Sequence, residues 1–125
     1  MRMSENKFNL WLKEAKSDFK AGEVLLKQKI FHLAVFHFVQ AGEKAIKALL
    51  YLNNTRPWGH SVTALLEEYE DLGKTVNVNV KNAALELEPH YIASSYPGDS
   101  MNTAPSDTYN AGDSKKLRDK AKVLL

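Results

Sequence analysis

From Phe31 to Leu52 the chain carries an unbroken helical apolar pattern with no proline, and its first half is apolar nearly all round. Ala34, Phe38, Ala41, Ala45, Ala48 and Leu52 form one stripe at spacings of three and four, and Val35, Val39, Ile46 and Leu50 form a second. A helix with apolar residues on most of its circumference must be surrounded, by the rest of its own chain or by a second subunit. The small residues Ala41, Gly42, Ala45 and Ala48 let another helix come close. Gly42 costs roughly 1 kcal/mol of helix propensity against alanine, a cost that close packing offsets. This one segment excludes most sheet-based folds and makes the rest of the chain a search for its cover.

The cover is legible on both sides. Leu10 to Lys29 places Leu12, Ala15, Phe19, Gly22 and Leu26 on one stripe, widened by Trp11 and Leu25, with Lys13, Lys16, Lys20 and Lys27 mostly off it. That is an amphipathic helix, expected to form a long antiparallel hairpin with Phe31–Leu52. Asn53 and Asn54 end the second helix, and Arg56-Pro57-Trp58-Gly59 reads as a turn. Ser61 is a suitable N-cap for a third helix, 62–72, closed by Gly73. Val76, Val78 and Val80 alternate with polar residues, a strand period with no partner strand, so 74–80 is expected as loop or a poor first helical turn. A fourth helix over about 82–94 is expected to kink or restart at Pro89. A long polar loop, 95–109, precedes a last helix starting near Asn110. The expectation is a single all-α domain over 1–125, an up-and-down bundle of about five helices.

Composition narrows the function classes. The chain has 125 residues and no cysteine, so disulfides and thiolate metal sites are excluded. Its N-terminus, Met1 to Asn9, lacks the apolar run of a signal peptide, and Ile30 to Val39 is too short to span a bilayer, so a cytoplasmic protein with no membrane contact is expected. Residues 1–60 hold ten Lys/Arg against five Asp/Glu, and residues 61–105 hold two against seven. That asymmetry suits either solvated helix faces of opposite sign or a basic face for phosphate or RNA.

The order of particular residues then becomes specific. Trp11-Leu12, Ala15 and Asp18 precede a helix reading Gln40-Ala41-Gly42-Glu43-Lys44-Ala45-Ile46-Lys47-Ala48. Gly59-His60-Ser61 follows, then Tyr91-Ile92 and Ser94-Ser95-Tyr96-Pro97-Gly98-Asp99. Across nearly its whole length the chain resembles the prokaryotic HEPN family (higher eukaryotes and prokaryotes nucleotide-binding domain). The resemblance implies a helical bundle that commonly forms homodimers. It also implies a partner, since many members are encoded beside or fused to a minimal nucleotidyltransferase and some act in toxin–antitoxin pairs. Some branches are metal-independent ribonucleases; others have lost catalysis and bind nucleotides or proteins.

The active branches resemble one another in an Arg, a polar residue, four to six residues and a His. The chemistry is intelligible: histidine moves a proton and arginine stabilises charge on the phosphorane. Here the arginines are Arg2, Arg56 and Arg118, and none has a histidine at that spacing. Arg56 and His60 come nearest, but Pro57 and Gly59 lie between, so they are weak catalytic candidates. The resemblance also places an Arg before the Tyr-Pro pair, where this chain has Ser95.

A non-catalytic binding module is therefore the expected function: a homodimer engaging a nucleotidyltransferase, a nucleotide or RNA, with no cofactor. The alternatives are a structural helical adaptor without a ligand site, or a ribonuclease with a degenerate motif. The ligand-binding candidates are Glu43, Lys44, Lys47, His60, Tyr91, Tyr96 and Asp99, and the dimer candidates are Phe31, Val35, Phe38 and Val39. Glu43 and Lys47 also suit a plain exposed i,i+4 pair, and His60 suits a ring bonded to backbone to fix its turn. Tyr91, Tyr96 and Tyr109 suit base stacking or partial burial in the bundle. The four histidines, Glu86 with His90 included, form no three-ligand pattern, so no metal site is expected.

Overall fold

Lys29 lets the chain double back. In the computed structural model, which describes residues 2–96 and 104–125, Lys29 adopts φ 62°. Its N–H donates to the Leu26 carbonyl at 3.1 Å, and the Ile30 N–H donates to the Leu25 carbonyl at 2.9 Å. This pair of bonds is a Schellman ending, normally built on glycine. It terminates α1 (Arg2–Lys27), and α2 (Phe31–Leu52) follows directly. The expected hairpin is present, with α1 beginning eight residues before Leu10. Along it Ala15 and Gly22 are buried, and Phe19 meets Phe38 with ring centroids 5.4 Å apart. A Cβ on Gly22 would stand 2.5 Å from Cε1 of Phe38, so only glycine permits this approach.

The remaining helices are α3 (Val62–Asp71), α4 (Val78–Leu87), α5 (His90–Ala93), α6 (Pro105–Thr108) and α7 (Ala111–Leu124). Among the described residues there are seven helices and no strand. The fold class is all-α as expected; the count rises because Pro89 splits the fourth helix and a single turn forms at Pro105. Asn77 caps α4, accepting from Asn79 N at 2.7 Å, so Val78 and Val80 belong to a helix and not to an extended run. No described helix is long and apolar enough to cross a membrane.

α2 packs against each of the other helices. Gly42 receives Leu87 and Leu124: a Cβ there would stand 3.1 and 2.8 Å from their methyl groups. Ser114 of α7 donates to the Phe31 carbonyl at 3.1 Å, pinning the two helices. The girth of α2 is thus covered by its own chain, and this corrects the expected dimer surface. Val35, Phe38 and Val39 have no solvent exposure and belong to the protomer core, while Phe31 is half-buried.

Candidate functional site

The side of α2 facing away from α7 carries His37, Gln40, Lys44, Lys47 and Tyr51, alternating by three and four residues, with Phe36 and Glu43 beside them. On a helix these fall on one stripe. Two carboxylates organise it. Asp18 of α1 accepts from Lys44 Nζ at 2.6 Å and pairs with His37 Nδ1 at 3.0 Å. Glu43, whose side chain is 2% exposed, pairs with Lys47 Nζ at 3.3 Å and accepts from His60 Nδ1 at 3.0 Å.

Glu43 and Lys47 are not the exposed pair that spacing alone suggested. The Lys47 side chain is only 8% exposed and its ammonium lies 5.4 Å from the Trp11 ring centroid. Trp11 stacks on Tyr51 at 5.4 Å, and Lys7 caps the Tyr51 ring at 5.3 Å. Both charges are held where water is scarce, so each needs the other.

His60 likewise does something other than bond its own turn. A carboxylate can only accept, so the Glu43 bond assigns the proton to Nδ1 and leaves Nε2 as the ring's second functional atom. The imidazole stacks on Tyr91 at 4.8 Å with planes 9° apart. Tyr91 in turn lies 5.9 Å from Phe36. Burial, the Glu43 carboxylate and neighbouring Tyr96 push the Tyr91 phenol above its ordinary range. Glu43, Lys47, His60 and Tyr91 therefore converge, with Tyr96 exposed nearby. Lys44 joins the adjoining Asp18 pair, and Asp99 lies outside the described residues.

The N-terminus of α3, next to His60, is already occupied by an anion of the chain itself. Glu88 Oε1 accepts from Ser61 Oγ at 2.7 Å, from Thr63 N at 2.8 Å and from the Thr63 hydroxyl. Burial raises the Glu88 pKa, but these bonds outweigh it and the net direction is down. Trp58, two residues before His60, is 89% exposed.

Tyr109 is elsewhere. Its hydroxyl meets His90 Nδ1 at 2.6 Å in the wall of a cleft of about 530 Å³. Burial and Asp113 push the phenol up to about 12, and burial drives His90 down. Glu86 borders the same cleft and pairs with Lys120 at 3.2 Å. Among the described residues no three His, Asp or Glu side chains converge as a metal site.

The fold has counterparts. The HEPN domain family model matches residues 8–125. The chain belongs to the HEPN family. MJ1304 of Methanocaldococcus jannaschii, named as a candidate toxin, is 30% identical over 138 residues, covering 98% of this chain and 90% of that protein. The crystal structure of TT1696 from Thermus thermophilus superposes with a TM-score of 0.88 at 27% identity, covering 95% of this chain and 93% of the other. That of ST0689, an archaeal HEPN homologue, gives 0.78 at 26% identity, covering 94% and 91%.

Among the described residues no arginine of this HEPN chain contacts His60. Arg118 pairs with Asp119 at 3.1 Å, Arg2 opens α1, and Arg56 faces a separate cleft with Lys7 and Tyr51. Arg56 and His60 thus border different clefts. Asp18, Trp11, Tyr51, Trp58 and Glu88 were not among the expected site residues. The alternating polar stripe on α2 was the signal for the first three, since whatever covers it must supply matching charges and rings.

Proposed function

We propose that this HEPN chain is a non-catalytic, homodimeric binding module that engages a nucleotidyltransferase partner, or a nucleotide, through the α2 face and the Trp58–His60 turn, in a toxin–antitoxin type of pair. The observation that carries the reading is the contrast between a locked polar face and an open anchor. Lys44 and Lys47 are each held by a carboxylate, and the contacts of His60 include no arginine. Little cationic capacity is left for a phosphorane, whereas Trp58 stands in solvent beside a preorganised surface. Tryptophan is among the residue types most enriched at binding hot spots. The resemblance to a protein named as a candidate toxin supports the pairing. For a second copy the contacts we assign are Met3, Leu10 and Val24, three exposed apolar side chains on one side of α1.

Copurification with the nucleotidyltransferase encoded nearest in the genome tests the partner. The complex is expected with the parent and lost with Trp58→Ala; equal recovery refutes the role of Trp58. Light scattering at micromolar concentration should give a dimer, and Leu10→Glu with Val24→Glu should give a monomer.

A ribonuclease reading has one observation in its favour, the Glu43–His60 pair, which orients an imidazole as a general base requires. RNA incubated with the parent and with His60→Ala decides. Cleavage by the parent alone would replace the non-catalytic reading.

A further inference from the structure

A cleft of about 270 Å³ lies between the first turns of α1 and the loop joining α2 to α3. Lys7 and Arg56 supply its charge, Ser4, Asn54 and Thr55 supply neutral polar atoms, and Tyr51 forms part of its wall. It has no Asp or Glu in its lining, while four other clefts each have at least one. Among the described residues neither Lys7 nor Arg56 forms an ion pair, in contrast to Lys44 and Lys47.

Lys7 is positioned through its side chain and Arg56 through its backbone. Lys7 rests over the Tyr51 ring, which is itself stacked on Trp11. Arg56 follows a second Schellman ending: Asn54 has φ 62° and its N–H donates to the Tyr51 carbonyl at 3.1 Å, and Thr55 N donates to the Leu50 carbonyl at 3.1 Å. Thr55 Oγ1 and Asn53 Nδ2 donate to carbonyls in the last turn of α2 at 2.8 Å, and Pro57 is buried. Two uncompensated cations held on ordered backbone, in a polar cleft without a carboxylate, favour a multiply charged anion. The fork of arginine and the point charge of lysine together suit tetrahedral oxygens.

We propose that this cleft binds a phosphoryl group, with Lys7 and Arg56 as its two cations. The group is the phosphate of a free nucleotide or the diester of an RNA strand. The proposal stands independently of the partner reading, because a simple anion tests it without any partner protein.

Calorimetry on the full chain should use inorganic phosphate, uridine 5′-monophosphate, a ten-nucleotide oligouridylate and uncharged uridine. The variants are Lys7→Gln with Arg56→Gln, and Lys13→Gln with Lys20→Gln as an equal loss of charge elsewhere on α1; circular dichroism checks folding. Phosphate and its esters should bind the parent, uridine should not, and the first pair of changes should weaken binding at least about tenfold, as expected for losing charged hydrogen bonds. The second pair should change it by less than about twofold. If the source is RNA, the oligouridylate binds tightest and its log–log salt slope falls by about 1.4, for two phosphate contacts. If the source is a free nucleotide, the monophosphate binds at least as tightly as the oligomer. Equal affinity in parent and Lys7/Arg56 variant, equal loss in both variants, or no binding of any phosphate probe up to about 10 mM, a binding energy below ~3 kcal/mol, would overturn the proposal.

Discussion

Replacing Lys47 with methionine isolates the cost of a buried charge. The substitution keeps most of the side-chain volume and retains contact with Trp11, through a sulfur instead of an ammonium. It removes the 3.3 Å partner of a carboxylate that is 2% exposed. Breaking a buried pair from one side costs about 3–5 kcal/mol. His60 remains as a second partner and is itself 57% exposed, so the lower end, about 3 kcal/mol, applies. With an unfolding entropy of ~2.1 cal/mol/K per residue, Tm should fall by roughly 10–12 °C. Thermal and urea unfolding at neutral pH measure it. The companion variant, Glu43→Gln with Lys47→Met, leaves no buried charge and should return to within about 1 kcal/mol of the parent. A loss below about 1 kcal/mol for Lys47→Met, or a double variant no more stable than the single, would refute the buried-pair argument.

Four further outcomes follow from local geometry. Lys29→Gly should raise stability by about 0.5–1 kcal/mol in urea unfolding, because a lysine at φ 62° carries a steric cost that glycine lacks. Ser61→Ala should lose about 1 kcal/mol, since the hydroxyl both caps α3 and donates to Glu88. The folded pKa of Glu88 lies below its reference of 4.5, so its contribution is complete above that pH and is lost as pH falls through the lowered value; the stability gap between parent and Glu88→Gln should close in the same window. In alkaline titration followed at the phenolate band, one tyrosine should ionise only near pH 12, and that late step should vanish in Tyr109→Phe.

The hairpin was legible because both helices carry apolar stripes at helical spacing, and Asn53, Asn54, Ser61 and Gly73 mark boundaries by their own backbone and capping chemistry. The first turns of α1 were not. Met1 to Asn9 has no apolar stripe, yet Ser4 is buried and Lys7 finds Tyr51, so tertiary contact extends a helix already nucleated downstream. The same limit explains the misplaced dimer surface. Periodicity shows that α2 needs cover all round but not which molecule provides it, and here its own chain provides it for Val35, Phe38 and Val39. At the site, Glu43, Lys47, His60 and Tyr91 were legible as residues. What escaped was the partnership: Asp18 is nineteen residues from His37, and Glu88 is twenty-seven from Ser61. Separations of that size carry no local signal.

Because α2 is wrapped by every other helix and also displays the polar face, one rod serves as both keel and deck. A change at Glu43 or Lys47 will disturb stability and recognition together, and neither readout alone can say which was struck. Trp58 stands off this rod in solvent, so it is the position at which specificity can drift while the scaffold stays sound.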